Sequence, residues 1–249
     1  MVDLVILGTI GIDTVETPYG TAENVLGGSA AYAAFAASFF CKPGIVSIIG
    51  DDFPDEHEEL LKSREICLLG LEKIGKTFRW HGRYDDINEA KSIKTELNAV
   101  LSLEGKVPDE YKDTKYLFLG NVDPDIQLKV LCQMKSPKLV VMDTMNFWIE
   151  HKKQTVLDVV EKADILLIND KEAKMLFSTN NLVKAAKKAL RHGLTAVIIK
   201  KGEHGAMMFT NESHFNAPPF PVEDVKDPTG CGDSFGGTFT AYLASTEDI

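Results

Sequence analysis

Along this chain, short unbroken apolar runs alternate with longer stretches in which apolar and charged positions repeat at helical spacing. The runs at 4–8 (LVILG), 44–50 (GIVSIIG), 116–120 (YLFLG), 138–143 (KLVVMD), 164–169 (DILLIN) and 196–202 (AVIIKKG) are continuous rather than alternating. Continuity of that kind predicts strands buried on both faces of a parallel sheet. Helix candidates lie between them, at 29–40, 55–65, 124–134, 152–163 and 181–193. The rhythm predicts an α/β fold: a doubly wound, mostly parallel sheet with helices on both faces. Functional groups in such a sheet collect just past the strand C-termini, where Asp13, Asn121, Asp143, Asn146, Asn169 and Gly202 stand.

Two segments break the rhythm. VETPYGTAENV (15–25) reads as a hairpin around Pro18-Tyr19-Gly20, and residues 71–98, with TFRWHGRY and KSIKTELNAV, read as extended chain. Together they predict a small β lid, at about 14–26 and 71–98, hinged at Gly27-Gly28. With no repeat or low-complexity linker, residues 1–249 are expected to form a single domain. Phe78, Trp80 and Tyr84 fall on one face of the expected lid strand.

The net charge of -10 argues against a nucleic-acid or anionic-membrane surface, while leaving room for a local phosphate pocket. The four cysteines are scattered without CxxC spacing, as expected for free thiols in a reducing compartment. The N-terminal segment has no basic leader and no apolar run is long enough to span a bilayer, so a cytoplasmic protein is expected. The six histidines show no paired metal spacing.

The densest chemistry lies in Asp227-Pro-Thr-Gly-Cys-Gly-Asp-Ser-Phe235, where a glycine turn runs into a helix-like stretch. The first amides of a helix lack internal partners and sit at the positive end of its dipole, so the turn is a ready anion site. A carboxylate there has a use if it accepts a proton from a nucleophile facing a phosphate. Gly230, Cys231, Gly232 and Asp233 then read as a phosphoryl-transfer centre with Asp233 as base. A capped helix with Asp233 merely favouring the dipole is the plain alternative. Cys231, at the same helix start, is expected to be the thiol most readily ionised and alkylated. Asn169-Asp-Lys-Glu172 follows a buried strand, either as a capped turn or as a phosphate and Mg²⁺ site. Lys201-Gly-Glu-His-Gly205 reads either as a hairpin turn or as a turn beneath a nucleotide. Gly70-Leu-Glu-Lys-Ile-Gly75-Lys76-Thr77 matches the Walker A letters, but TFRWHGRY follows it where a helix is required, so the match is read as chance.

Taken in order, these motifs resemble the PfkB carbohydrate kinase (ribokinase-like) family over essentially the whole chain. DPTGCGDSF resembles its C-terminal signature, GGSAAYAA (27–34) its di-glycine signature, and GTIGID (8–13) its opening strand and loop. NDKE (169–172) resembles its N-x-x-E motif and KGEHGA (201–206) its G-x-x-G turn. The resemblance implies a ribokinase-like fold and ATP-dependent phosphorylation of a hydroxyl on a sugar or nucleoside-like molecule. Asp233 would be the base, with the Gly230–Asp233 amides as anion hole. It implies ATP contacts from Asn169, Glu172, Lys201, Gly202, Gly205 and Thr229. Mg²⁺ would be held near Glu172 through water, and K⁺ near Asp227 and Thr229. Substrate would meet Asp13, Gly27, Gly28 and Tyr32, with Asn121 and Asn146 also placed on the substrate side, and a homodimer would form through the lid.

Cys231 stands where the family has Ala, and Tyr32 where many members have Asn. Tyr32 tilts the expected substrate towards one with a flat or apolar area. Relatives continue for several helical turns beyond the point where this sequence stops, so the family's C-terminal part is expected to be missing. That makes a catalytically weak sugar- or nucleoside-binding relative the alternative reading. A nicotinamide-dependent enzyme is disfavoured, because the first strand leads into GTIGID rather than G-x-G-x-x-G.

Overall fold

The computed structural model describes residues 2–86 and 89–246. Positions 87–88 of the expected lid and the terminal 247–249 lie outside the described residues. In chain order the strands are β1 (Leu4–Leu7), β2 (Gly11–Thr17), β3 (Gly20–Gly27), β4 (Pro43–Ile49), β5 (Cys67–Lys73), β6 (Phe78–Asp86) and β7 (Glu89–Glu96). β8 (Tyr116–Leu119), β9 (Leu139–Met142), β10 (Ile165–Asn169), β11 (Ala196–Lys200), β12 (Ala206–Phe209) and β13 (His214–Ala217) follow. The helices are α1 (Ser29–Ala37), α2 (Asp55–Ser63), α3 (Pro124–Gln133), α4 (Asn146–His151), α5 (Lys153–Val160), α6 (Asp170–Leu176), α7 (Leu182–Leu190) and α8 (Cys231–Thr246).

Among the described residues the main sheet has the order β13-β12-β11-β10-β9-β8-β1-β4-β5. It is parallel from β11 to β5, with β12 and β13 antiparallel at one edge. This is the doubly wound sheet that the apolar runs predict. Its strands divide their side chains between two cores. In β1, Leu4 and Ile6 face the layer of α1, α2 and α8, while Val5 and Leu7 face the layer of α3, α5, α6 and α7; all four are fully buried. Local signals set the helix starts: Asp123 caps α3 ahead of Pro124, and Asn181 caps α7 by accepting from the Lys184 amide at 2.9 Å.

The second sheet, β3-β2-β6-β7, is the lid. The hairpin around residues 18–19 joins β2 to β3, as its turn residues predict. Glu16 fastens β2 to β6, bonding His81 Nε2 and Arg83 Nε, each at 2.7 Å. The expected lid boundary at 71 needs correction. Residues 71–73 end β5, which pairs with β4 at the edge of the main sheet, so the second lid segment begins at Phe78. The Walker-like letters span β5 and an exposed turn at Gly75-Lys76, and β6 follows instead of a helix. No helix among the described residues is long and apolar enough to cross a membrane.

Helix α8 is the element that positions the site. It lies against α1, whose inner face is almost entirely alanine. Gly237 meets the backbone of Ala33, and Gly236 meets the rings and side chains of Phe118 and Leu167, so neither has room for a Cβ. The Phe-Gly-Gly run after Asp233 therefore sets how closely α8 approaches the sheet, and with it the height of its first turn.

Candidate active site

The turn that opens α8 is built by its own sequence. The Thr229 amide donates to Asp227 Oδ1 at 2.8 Å, and the Ser234 amide donates to the Gly230 carbonyl at 2.8 Å. Gly230 has φ +72°, where glycine carries no penalty, and the Tyr32 ring occupies the space that a Cβ would need. Among the described residues, no backbone carbonyl accepts the amide protons of Gly232 and Asp233. The turn thus presents the Gly232 amide without a carbonyl partner, and the Asp233 amide bonded to its own carboxylate, at the positive end of a helix that runs from Cys231 to Thr246.

Asp233 is half-buried beside these amides. Burial, and next the charge of Asp143, push its carboxyl up from 3.8 to about 7, against the opposing pull of Lys200. Lys200 ends β11, and its Nζ lies 2.6 Å from Asp143 Oδ2. Asp143 follows β9 and is buried, with its Oδ1 taking the Thr144 amide at 2.9 Å. Between these strands β10 brings Asn169 and Glu172. They form a reciprocal cap: Asn169 Oδ1 accepts the Glu172 amide at 2.8 Å, and Glu172 Oε2 accepts the Asn169 amide at 2.9 Å. Burial, then Asp143, raises the Glu172 carboxyl from 4.5 to about 7.

Asp13 comes from the lid strand β2 and is 3% exposed. Its Oδ1 is buried without a hydrogen-bond partner among the described residues. Burial first, then the charges of Asp227 and Asp233, raise its carboxyl from 3.8 to about 7. Gly27 and Gly28 lie directly behind it: the Asp13 carboxyl fills the place of a Gly27 Cβ, and Gly28, at φ +96°, packs on the Thr9 carbonyl. Ser29 ties this loop to the sheet, receiving from or donating to Thr9 and giving its hydroxyl to the Asn121 carbonyl at 3.1 Å. Tyr84, on β6, accepts a bond from Thr229 Oγ1 at 3.3 Å, so the lid reaches the turn that opens α8. The phenols of Tyr32 and Tyr84 are both held above their ordinary value, chiefly by burial and also by the surrounding carboxylates.

The structure thus gathers Asp13, Gly27, Gly28, Tyr32, Thr229, Gly230, Cys231, Gly232 and Asp233. Asn169 and Glu172 join through Asp143 and Lys200. Lys201, Gly202 and Gly205 form a tight turn after β11, closed by the Lys201 amide on the Gly205 carbonyl at 2.8 Å. Asn121 points its side chain elsewhere, giving Nδ2 to Met145 Sδ and accepting from Trp148 Nε1. Asn146 is exposed at the start of α4. Burial first, then Asp227 and Asp233, raise the Cys231 thiol, so it is not the readily ionised thiol that the helix start alone predicts. Sequence reasoning missed Lys200 altogether, placed Tyr84 on a lid-strand face without its bond to Thr229, and noted Asp143 only as a residue after a strand. Among the described residues no three His, Cys, Asp or Glu side chains are grouped to hold a metal ion. A divalent ion here would be bound by one carboxylate, with phosphate oxygens and water completing its shell, an arrangement that suits Mg²⁺.

A doubly wound sheet, a four-stranded lid and an aspartate at a glycine-rich helix start define a ribokinase-like phosphotransferase acting on alcohol groups. The chain belongs to the pfkB family of carbohydrate kinases, whose family model matches residues 1–249. It is 31% identical to the cytidine kinase of Thermococcus kodakarensis over 247 residues, covering 97% of this chain and 88% of that protein. It is 25% identical to the nucleoside kinase of Methanocaldococcus jannaschii over 237 residues, covering 90% of this chain and 74% of that one. Among solved structures, an Escherichia coli protein assigned as ribokinase II, in complex with ATP and Mg²⁺, superposes with a TM-score of 0.82 at 21% identity. That match covers 97% of this chain and 85% of the other, and at this identity it speaks for the fold.

Proposed function

We propose that this protein is an ATP-dependent nucleoside or sugar kinase in which Asp233 removes the proton from the acceptor hydroxyl. The observation that carries the reading is the Asp233 carboxyl, held at about 7 by burial and Asp143 in the glycine-rich first turn of α8. A base works best when its proton affinity lies near the working pH. The acceptor oxygen bonds to the γ-phosphorus as the bond from that phosphorus to the β–γ bridging oxygen breaks. The electron pair leaves with ADP, and the hydroxyl proton goes to Asp233. The first amides of α8 receive the charge on the transferring group. Asp13, with one unpartnered carboxylate oxygen, accepts bonds from acceptor hydroxyls. Mg²⁺, near Glu172, would offset charge on the phosphates.

Tyr32 and Tyr84 favour an acceptor with a flat face, and the relatives named as cytidine and nucleoside kinases point the same way. The test is ADP formation with ATP·Mg²⁺ across cytidine, uridine, adenosine, inosine, ribose, deoxyribose and fructose. Acceptor-dependent ADP release that is fastest with a nucleoside supports the reading. Absence of release with every acceptor, by protein that binds ATP, refutes it.

A further inference from the structure

The Lys200–Asp143 pair is the strongest charged feature of the site without a role in the chemistry above. The two residues lie 57 positions apart in sequence and end strands β11 and β9, on either side of β10. Their side chains are 17% and 6% exposed. A buried ion pair gives little net stability compared with apolar residues of the same size, because both charges lose their water. A purely structural role is therefore a poor account of it. Burial works against the ammonium, yet Asp143 and Glu172 hold its pKa above the ordinary lysine value, so it is charged.

Its location is informative. Lys200 Nζ lies 3.2 Å from the position a Cβ on Gly232 would occupy. The ammonium therefore lies close to the amide turn, and Gly232 has no side chain to come between them. Among the described residues Asp143 is the one side chain that accepts a bond from Nζ, and an ammonium has three protons to give. Asp233 and Glu172 are close enough for their charges to act on Lys200 or be acted on by it.

We infer that Lys200 is a catalytic residue that binds the transferred phosphoryl group from below the anion hole, and that Asp143 positions it. The inference rests on the kinase reading. It assigns to Lys200 the oxygens present in ATP and absent from ADP, so the ammonium discriminates between the two nucleotides. Asp143 points the ammonium at the turn and keeps it from collapsing onto the base, Asp233.

The test compares wild type with Lys200→Met and Lys200→Arg, using AMP-PNP·Mg²⁺ and ADP·Mg²⁺ as probes in calorimetric titrations, together with steady-state turnover. Loss of a charge-assisted bond predicts an AMP-PNP affinity lower by about tenfold or more in Lys200→Met. ADP affinity should stay within about twofold, and kcat should fall by about 10² or more. Lys200→Arg should recover part of both. Because Lys200→Met leaves Asp143 buried and unpaired, the double variant Lys200→Met, Asp143→Asn is measured alongside, with melting temperatures for each. A structural pair would let the folded double variant regain wild-type kcat, and it would change both nucleotide affinities equally; either result overturns the inference. Wild-type protein that binds neither nucleotide would instead defeat the kinase reading, and the inference with it.

Discussion

Replacing Asp233 with Asn should stabilise the unliganded protein while it removes turnover. The folded carboxyl titrates at about 7 instead of 3.8. Proton binding is therefore tighter in the folded state, so this group's contribution to stability is fully present below 3.8 and is lost as pH rises through about 7. The gap is about 3 pH units, which at about 1.4 kcal/mol each bounds the cost of the charge at about 4 kcal/mol above pH 7. Solvent at the half-buried carboxylate screens part of that, and half, about 2 kcal/mol, is the expected gain for Asp233→Asn at pH 8. For a chain of this length it corresponds to a melting temperature higher by about 4–8 °C. At pH 5 most of the gain should vanish, because the wild-type carboxyl is then protonated in the fold. Turnover of Asp233→Asn should be lower by about 10² or more, and wild-type kcat/KM should rise with pH through about 7. Thermal scans at pH 5 and 8 and a pH–rate profile measure all of this. An unchanged or lower melting temperature at pH 8, or turnover within tenfold of wild type, would refute the reasoning.

Asp13→Ala should weaken acceptor binding by about tenfold or more, since it removes a charged hydrogen-bond acceptor, while ATP affinity stays within about twofold; equal loss for both ligands would place the acceptor elsewhere. Gly237→Leu forces a side chain into the Ala33 backbone, an overpacking cost of about 1–3 kcal/mol. It should lower both the melting temperature and kcat, because α8 carries Asp233; a shift below about 2 °C would show that α8 can retreat freely. Lys76→Ala, in an exposed turn, should leave turnover within about twofold, and loss of ATP binding in that variant would restore the Walker reading.

Strands β1, β4, β8, β9, β10 and β11 of the main sheet were legible because each is an unbroken apolar run, buried on both faces, whereas the more exposed edge strands β12 and β13 were not. β5 was not, since CLLGLEK is an edge strand carrying charge and glycine, and its letters overlap the Walker-like match. The glycine turn and Asp233 were legible because their chemistry is local: donors, dipole and carboxylate lie within a few residues. Lys200 was not, because a lysine ending a strand reads as solvated until the fold brings Asp143 to it across 57 positions. The bond between Thr229 and Tyr84 spans 145 positions and was hidden for the same reason. Cys231 marks a different shortfall. Its thiol is raised chiefly by burial, which local sequence does not show, and then by Asp227 and Asp233, which stand close to it in the chain.

The electrostatics of the site link acceptor binding to the strength of the base. Asp13 and Asp233 repel one another, and that repulsion is one cause of the raised Asp13 value. Interaction between titrating groups is mutual, so the charge state of Asp13 acts on Asp233 in turn. With the pocket free of acceptor, burial and then Asp227 and Asp233 favour the protonated form of Asp13, which would relieve Asp233 and, on the proposed reading, leave it a weaker base. Hydroxyl donors on Asp13 Oδ1 favour its ionised form. An ionised Asp13 would raise the proton affinity of Asp233 while an acceptor is bound. On the proposed kinase reading, Asp13 would therefore both hold the acceptor and, through its charge, strengthen Asp233 as the base.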